Sequence, residues 1–526
     1  MSNKLSKKNI IKKTFEFGLS SIISKVLAIT RDILQIRYLG LGPLSDAFLV
    51  AYKIPNVLRK VFAEGALSAA FIPTLVKLLR QNKEDEANKL ISGLLIFIGG
   101  ILVLICTIII IFPKAIIFVY ANGFFKKGFE LSVTVKLIRI LISFILFISM
   151  GSILSGALQA KHQFGPTAWA PVILNIVYIS ALIASTYLHL SVYNFAFLIL
   201  FGAILQSLFF LYYYKKFGFQ FIWPDKSIKK HFQEVIFKFL PCIISMSTLE
   251  LNAAIDERFG STLSAGTYTL MDIAFKFMGI ALSIFASGFA SILLPYFSHV
   301  TNYAQKRLSF YIFQANKLIA WITLPATLII IFLANKIIYT TFYKYSGSHF
   351  TLSNVNQTAN LLIAYSSGLF FYSLNKILLS LYYSMQQMLI PTLVTVIGCI
   401  LNIIFNFLLI NKMGAVGLAL ATSLSAGLQS IIFLTILYFR FNFKIYLKAY
   451  TLFIMKLILQ VSLISSLFYF IYNSIYYLIN YHLIFLKSFL LEEIGFWLWV
   501  SPLIILIFLL LYKTRKLFGI KIYFLS

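Results

Sequence analysis

Residues 94–112 read LLIFIGGILVLICTIIIIF, an apolar stretch without one charged side chain. Residues 461–481, VSLISSLFYFIYNSIYYLINY, form a second uncharged stretch near the other end of the chain. A helix needs about 20 mostly apolar residues to cross a hydrocarbon core about 30 Å thick. Both stretches are long enough, so the sequence predicts helices that span a membrane.

The composition of the whole chain agrees with these two stretches. Of 526 residues, 60% are hydrophobic and 12% are charged, whereas a soluble domain has about 45–50% apolar and about 25% charged residues. The net charge of +29 is spread over short connections between apolar segments. This distribution is typical of loops that face anionic lipid. We therefore expect an integral membrane protein with membrane lipids, and no nucleic acid, as partners.

Hydrophobic periodicity predicts an all-α membrane protein with fourteen transmembrane helices. The predicted segments are residues 15–37, 47–79, 90–120, 133–160, 168–188, 193–214, 233–258, 264–298, 310–343, 355–384, 389–411, 414–439, 446–475 and 484–512.

Alternate connections are much richer in Lys and Arg than the others. The rich set is residues 4–13, 80–89, 215–238, 306–317, 440–448 and 513–521. Basic connections stay on the cytoplasmic side of a membrane. The pattern predicts a multi-pass membrane protein with both termini in the cytoplasm.

Short echoes in the sequence indicate an internal repeat. Pro166-Thr167 followed by Asn175 recurs as Pro391-Thr392 followed by Asn402, at nearly the same offset that relates Asp46 to Asp272. Transporters commonly bind substrate between such repeats. We predict an N-terminal lobe of six helices (residues 1–222), a C-terminal lobe of six helices (residues 223–441) and two further helices with a cytoplasmic tail (residues 442–526).

Charged residues inside the predicted helices cluster in segments 1, 2, 7 and 8, which open the two lobes. They are Lys25, Arg31, Asp32 and Arg37; Asp46, Lys53, Arg59, Lys60 and Glu64; Glu250, Asp256, Glu257 and Arg258; and Asp272 and Lys276. Such charges are costly in lipid and usually mark a binding site or pathway. One central, hydrated, cationic cavity accounts for all of them.

Spacing places the members of this set on shared helix faces. Asp46, Lys53, Asn56, Lys60 and Glu64 recur every three, four or seven residues, and Ser24 and Arg31 are seven apart. Among the charged residues named above, those of segments 1 and 2 are six basic and three acidic, which favours an anionic ligand. The alternative is that the charges pair internally and lock the helices. The named residues of segments 7 and 8 are four acids and two bases, so that half is suited to a cation rather than the anion.

Residues 24–73 resemble the N-terminal signature of the MurJ/MviN family, the flippases for lipid II in peptidoglycan synthesis. The match includes Arg31-Asp32, Asp46-Ala47-Phe48, Pro55-Asn56 and residues 62–66. The resemblance implies the multidrug/oligosaccharidyl-lipid/polysaccharide exporter fold and alternating access. It also implies a location in the bacterial cytoplasmic (inner) membrane, a groove for the lipid tail in the last two helices and partners in the cell-wall synthesis machinery.

The resemblance also assigns roles to residues. It implies that Lys25, Arg31, Arg59 and Lys276 hold the pyrophosphate of lipid II. Lys25 and Lys276 stand where the family usually has arginine, so the charge is kept and the bidentate fork is lost. Phe275 stands where the family usually has an aspartate.

Similarity to sodium-coupled relatives implies a cation site at Asp256, Asn402, Asn406 and Thr422. Asn402 and Asn406 are four residues apart and share a helix face, and all four side chains offer the hard oxygen ligands that such a cation needs. Ordinary interhelical amide bonding explains the same residues. No other cofactor is expected, and sodium or the membrane potential is the expected source of coupling.

Two other classes of protein remain as alternatives. A related exporter, such as an O-antigen lipid flippase or a drug/cation antiporter, would share the fold but not the signature of residues 24–73. A membrane-embedded enzyme acting on polyprenyl substrates would need a catalytic carboxylate or histidine group near an interface. The six histidines are scattered singly, and the chain has no Asp-x-Asp triplet. We therefore do not expect an enzyme.

Overall fold

The structure is a computed structural model that describes residues 7–62, 66–161, 163–283, 305–385, 387, 389–444 and 446–525. Within these ranges the chain forms helices and no β-strand, which confirms the all-α prediction. By packing, the chain divides into two compact units, residues 1–269 and residues 270–526. This division does not test the lobes that the repeat predicts, which remain a prediction.

Unit 1 is built from ten helices and the first turn of an eleventh. They are α1 (Lys7–Leu39), α2 (Pro43–Phe62), α3 (Ala66–Arg80), α4 (Glu84–Ile111), α5 (Pro113–Tyr120), α6 (Gly128–Leu141), α7 (Phe144–Ala160), α8 (Gly165–Tyr187), α9 (Val192–Lys216), α10 (Lys229–Gly260) and α11 (Thr267–Leu282). The main packing partners are α1 with α8, α2 with α6, α7 with α9, and α10 with α3. Aromatic rings fill the core, where Phe195 lies 5.3 Å from Phe48 and 5.4 Å from Tyr178 between ring centroids.

In the described residues of unit 2, the rest of α11 is followed by seven further α-helices. They are α12 (Gln305–Ile338), α13 (Leu352–Ser367), α14 (Leu369–Ser384), α15 (Leu389–Phe441), α16 (Leu447–His482), α17 (Lys487–Glu492) and α18 (Phe496–Thr514). Helix α12 packs on α13, α14 and α16, and α16 packs on α18.

Several predicted segments are broken at identifiable residues. Segment 3 divides into α4 and α5 at Pro113, which cannot donate the helical hydrogen bond. Segment 10 divides into α13 and α14, which bend by 41°. Segments 11 and 12 are two helical stretches of α15 that meet at a kink, where Gly414 has φ 54° and ψ −132°, a conformation that suits glycine. The last long helix begins at Phe496 rather than 484, after the charged pair Glu492-Glu493.

The lipid-facing surface is visible on α4. Its apolar side chains are widely exposed, with Leu104 62% and Ile111 58% exposed, an arrangement that is stable only in hydrocarbon. Eight helices of the described residues are long and apolar enough to cross a membrane, or nine if the bent pair α13 and α14 counts as one span. Helices α1, α2 and α10 are not among them, and they carry most of the charged residues of the candidate site. The chain is a multi-span helical membrane protein, and the count of fourteen stays a prediction.

The predicted topology is testable by labelling single cysteine substitutions in intact cells. We expect one set to be shielded from a membrane-impermeant thiol reagent and the other to react, because basic connections stay in the cytoplasm. The shielded positions are Lys8, Lys226, Lys306, Arg440 and Lys516; the reactive positions are Lys126, Ser348 and Asn480. Labelling at Lys226 from outside would overturn the predicted number of crossings.

Candidate functional site

Arg31 is held inside unit 1 by groups on two helices. Its Nη2 lies 2.9 Å from Oδ1 of Asp32, the next residue on α1. From α8, Asn175 Oδ1 accepts a 3.4 Å hydrogen bond from Nη1, and the guanidinium lies 5.0 Å from the centroid of the Tyr178 ring. Only 16% of the Arg31 side chain is exposed. An arginine in such a position is oriented by carboxylate, amide and aromatic ring together.

Two side chains of α8 form hydrogen bonds to α1 and so position the residues around Arg31. Asn175 Nδ2 donates to the Ser24 carbonyl at 3.2 Å and lies 3.1 Å from Ser24 Oγ. The Tyr178 hydroxyl donates to Gln35 Oε1 at 2.9 Å. Because Asn175 contacts both Ser24 and Arg31, the prediction that these two residues share one face of the first helix is confirmed.

Lys53 connects α2 to α10. Its Nζ donates to Glu257 Oε1 at 2.8 Å and lies 4.9 Å from the centroid of the Tyr268 ring. Both charged side chains are largely buried. This ion pair is the internal pairing that the sequence left open as an alternative to ligand binding.

Asp46 lies at the start of α2 and is 2% exposed. Its carboxylate accepts hydrogen bonds from the Gly266 N–H at 2.7 Å, the Thr269 N–H at 3.0 Å and the Thr269 hydroxyl at 2.7 Å. Ser45 Oγ lies 2.8 Å from the same Thr269 hydroxyl. The first N–H groups of a helix have no partner within it and favour a negative charge. Asp46 therefore caps the beginning of α11, where Gly266 has the positive φ of 86° that suits glycine.

The other predicted residues of unit 1 have different positions. Lys25 on α1 and Arg59 on α2 are half-buried. Asn56 is half-buried, and its Nδ2 donates to the Tyr52 carbonyl one turn earlier at 2.8 Å. The side chain of Lys60 and the whole of Glu64 lie outside the described residues.

Lys276 belongs to unit 2, on α11. Its Nζ lies 2.8 Å from Oδ2 of Asp272, one helical turn earlier. Phe275, which stands where the family usually has an aspartate, contacts the Tyr365 ring at 5.4 Å instead. The acidic neighbour of Lys276 is thus supplied from position i−4 rather than i−1. The Lys276 side chain as a whole is 36% exposed.

Three of the four candidate sodium ligands lie in unit 2. Asn402 and Asn406 are buried on one face of α15, and Asn406 Nδ2 donates to Asn402 Oδ1 at 2.6 Å, which confirms their predicted shared face. The Thr422 hydroxyl donates to the Leu418 carbonyl of its own helix at 3.1 Å. Asp256 is buried in unit 1. Among the described residues, no group of three or more His, Cys, Asp or Glu side chains is arranged as a metal site.

Unit 2 also contains a long apolar groove of about 480 Å³ between α12, α16 and α18. Its walls include Pro325, Phe332, Val461, Tyr469 and Leu511. A groove with this lining suits a hydrocarbon chain. It lies on the two helices for which the family resemblance implies a lipid-tail groove.

Sequence reasoning missed the neighbours that orient these charges. The rings of Tyr178 and Tyr268 face Arg31 and Lys53. No sequence pattern marks these two tyrosines, because aromatic residues are frequent throughout the chain. Asn175 was visible as one of the repeated residues, but its contact with Arg31 was not. A polar amide within an apolar helix is the signal that could have found it.

The fold and the buried charges together define a class of protein, a multi-span helical membrane protein with charged side chains in its interior. One solved structure with this fold, described as an inward-facing MATE family multidrug resistance transporter of the MOP superfamily, has a TM-score of 0.63 at 14% identity and covers 78% of this chain and 93% of its own. Another, "Lipid II flippase MurJ, inward closed conformation", has a TM-score of 0.74 at 24% identity and covers 95% of this chain and 99% of its own.

Sequence comparison then specifies the family. A probable lipid II flippase MurJ from Buchnera aphidicola subsp. Acyrthosiphon pisum is 27% identical over 82% of this chain and 84% of its own length. The family model described as "Lipid II flippase MurJ" matches residues 36–490. The chain belongs to the lipid II flippase MurJ family.

Proposed function

We propose that this protein flips lipid II from the cytoplasmic to the outer leaflet of the bacterial inner membrane by alternating access, without covalent catalysis. The observation that supports it best is Arg31, a guanidinium held within the helices of unit 1. Burying a charge in a membrane protein is costly and is retained mainly where it serves function. The pyrophosphate of lipid II carries the opposite charge, and phosphate oxygens match the arginine fork.

The substrate's two chemical parts have matching candidate sites. Lys25, Arg31 and Arg59 are the basic residues of unit 1 proposed to hold the head group, with Lys276 as the fourth. Asp32 orients Arg31 and so supports binding indirectly. The apolar groove along α12, α16 and α18 is proposed to hold the polyprenyl tail.

The proposal is tested by depleting the resident lipid II flippase of a bacterium that expresses this chain. We expect growth and cell-wall synthesis to continue, because this chain would move the precursor across the membrane. The matched control is the same chain with Arg31→Ala at equal expression, which should fail to support growth. Growth arrest with accumulated lipid II in cells expressing the unaltered chain would refute the proposal.

Sodium coupling is a further part of the proposal and rests on Asp256, Asn402, Asn406 and Thr422. Their oxygen atoms are the hard ligands that sodium prefers. If sodium binds there, transport should rise with sodium concentration, and Asp256→Asn should remove that dependence while the protein stays folded. Flipping is to be measured in vesicles with sodium or with potassium. Equal rates in the two salts for the unaltered chain would exclude this site and leave the membrane potential as the coupling force.

A further inference from the structure

One end of unit 2 gathers basic residues from three helices around the C-terminal turn. From residue 270 onward the sequence contains only three acids, Asp272, Glu492 and Glu493. Asp272 pairs with Lys276. Glu492 and Glu493 lie 3.5 and 2.8 Å from Lys344, whose ammonium lowers the pKa of Glu493 below its usual value. All three acids are thus engaged away from the C-terminal turn, residues 515–521.

Two lysines reach this C-terminal turn from different helices. Lys317 of α12 donates to the Lys521 carbonyl at 2.6 Å and is only 9% exposed. The ammonium group of Lys456 on α16 lies beside Gly519: a Cβ atom placed on this glycine would be 3.0 Å from it. Gly519 has a φ of +62°. Lys317 and Lys456 therefore approach Lys521 and Gly519, which are only two positions apart. The positive charges of the two ammonium groups repel one another.

The C-terminal turn is itself well fixed. The Ile520 N–H donates to the Arg515 carbonyl at 2.9 Å, and the Tyr523 N–H donates to Gln314 Oε1 of α12 at 3.1 Å. Arg515 is buried, with its guanidinium 4.3 Å from the centroid of the Tyr512 ring. Lys317, Lys456 and Arg515 thus form a basic cluster on an ordered scaffold.

The basic cluster lies at one end of the apolar groove. Groove residue Pro325 is eight positions from Lys317 on α12, Val461 is five positions from Lys456 on α16, and Leu511 is four positions from Arg515. At a rise of 1.5 Å per residue these separations are about 6–12 Å along each helix. A molecule with an anionic head in the cluster would have its tail at the mouth of the groove.

We propose that the basic cluster of Lys317, Lys456 and Arg515 is an entry site for the pyrophosphate of a polyprenyl-linked lipid, separate from the site at Arg31. This inference rests on the proposed function, which supplies the substrate class. Ammonium groups held together repel one another unless an anion lies between them. Because the groove begins within two or three turns of the cluster, the anion that fits best carries a long hydrocarbon tail. The positive-inside pattern predicts that this end of the unit faces the cytoplasm, where such a lipid is made available.

The test measures binding of farnesyl pyrophosphate to the purified full-length chain, with Arg31→Ala as the background so that the site at Arg31 contributes little. We expect Lys456→Gln to weaken binding about tenfold or more, since a charge-assisted contact is lost. Lys456→Arg should bind as the parent does. The matched control, Lys448→Gln, removes the same charge from an exposed position of the same helix and should leave affinity within about twofold.

Competition identifies the ligand. We expect inorganic pyrophosphate and phosphatidylglycerol each to compete much more weakly than farnesyl pyrophosphate, because the first has no tail and the second no diphosphate. Equal competition by inorganic pyrophosphate would show that the groove is not used, and equal competition by phosphatidylglycerol would assign the cluster to ordinary anionic lipid. Either outcome overturns the inference, as does unchanged binding in Lys456→Gln.

A transport assay on the chain with Arg31 intact separates this inference from the proposed function. Lys456→Gln should raise the lipid II concentration needed for half-maximal flipping about tenfold, with the maximal rate kept. If Lys456→Gln leaves that concentration unchanged while the unaltered chain still flips lipid II, the entry site is refuted and the proposed function stands. If the unaltered chain flips no lipid II, the proposed function itself fails.

Discussion

Arg31→Ala is expected to abolish lipid II flipping in reconstituted vesicles. The substitution removes a guanidinium that Asp32, Asn175 and Tyr178 surround in unit 1. Each lost charge-assisted contact is worth roughly 1.5–3 kcal/mol, or about a tenfold to hundredfold loss in affinity for the head group. Arg31→Lys should have an intermediate effect, because the charge is kept and the fork is lost.

Leu34→Ala is the matched control for Arg31→Ala. Leu34 lies on the same helix and packs against the core of unit 1, so its truncation removes apolar contacts and no charge. At equal expression it should retain flipping. Lys25→Arg and Lys276→Arg should also be tolerated, because they keep the charge and add donors. Equal activity of Arg31→Ala and Leu34→Ala would mean that Arg31 only locks α1 to α8.

A disulfide between Ser45→Cys and Thr269→Cys is expected to stop flipping. The two hydroxyl oxygens are buried and 2.8 Å apart. They lie next to the three hydrogen bonds that Asp46 accepts from Gly266 and Thr269. Alternating access requires some helix contacts to break and re-form during each cycle, and we propose that those joining the start of α2 to the start of α11 are among them. A covalent bond at this point would hold the protein in one state.

The measurement compares flipping by the double variant before oxidation, after oxidation and after a reductant is added. We expect activity to fall to background on oxidation and to return on reduction. Each single cysteine variant, treated identically, is the control; the natural Cys106 and Cys399 are buried and are not joined in a disulfide. Flipping by the fully cross-linked chain at the uncross-linked rate would show that this contact stays closed throughout transport.

The membrane fold was predictable because it follows from local chemistry. Stretches such as residues 94–112 leave a helix in lipid as the only favourable state, since every backbone polar group must be paired there. Charges inside such stretches are equally visible, so Arg31, Asp46 and Lys53 could be singled out without a structure. The shared faces of Ser24 with Arg31 and of Asn402 with Asn406 also followed, because helical periodicity fixes them.

The partners of those charges depended on tertiary structure. Arg31 meets Asn175 from 144 positions away in sequence, Lys53 meets Glu257 from 204, and Asp46 meets Thr269 from 223. No local pattern encodes such pairings, because they depend on which helix faces pack together. The sequence alone therefore determined a helical membrane protein of this family with charges in its interior. Only the packed structure decided that Asp46 caps α11, that Lys53 is paired, and that Lys317 and Lys456 meet at the C-terminal turn, because long-range contacts form only when distant helices are brought side by side.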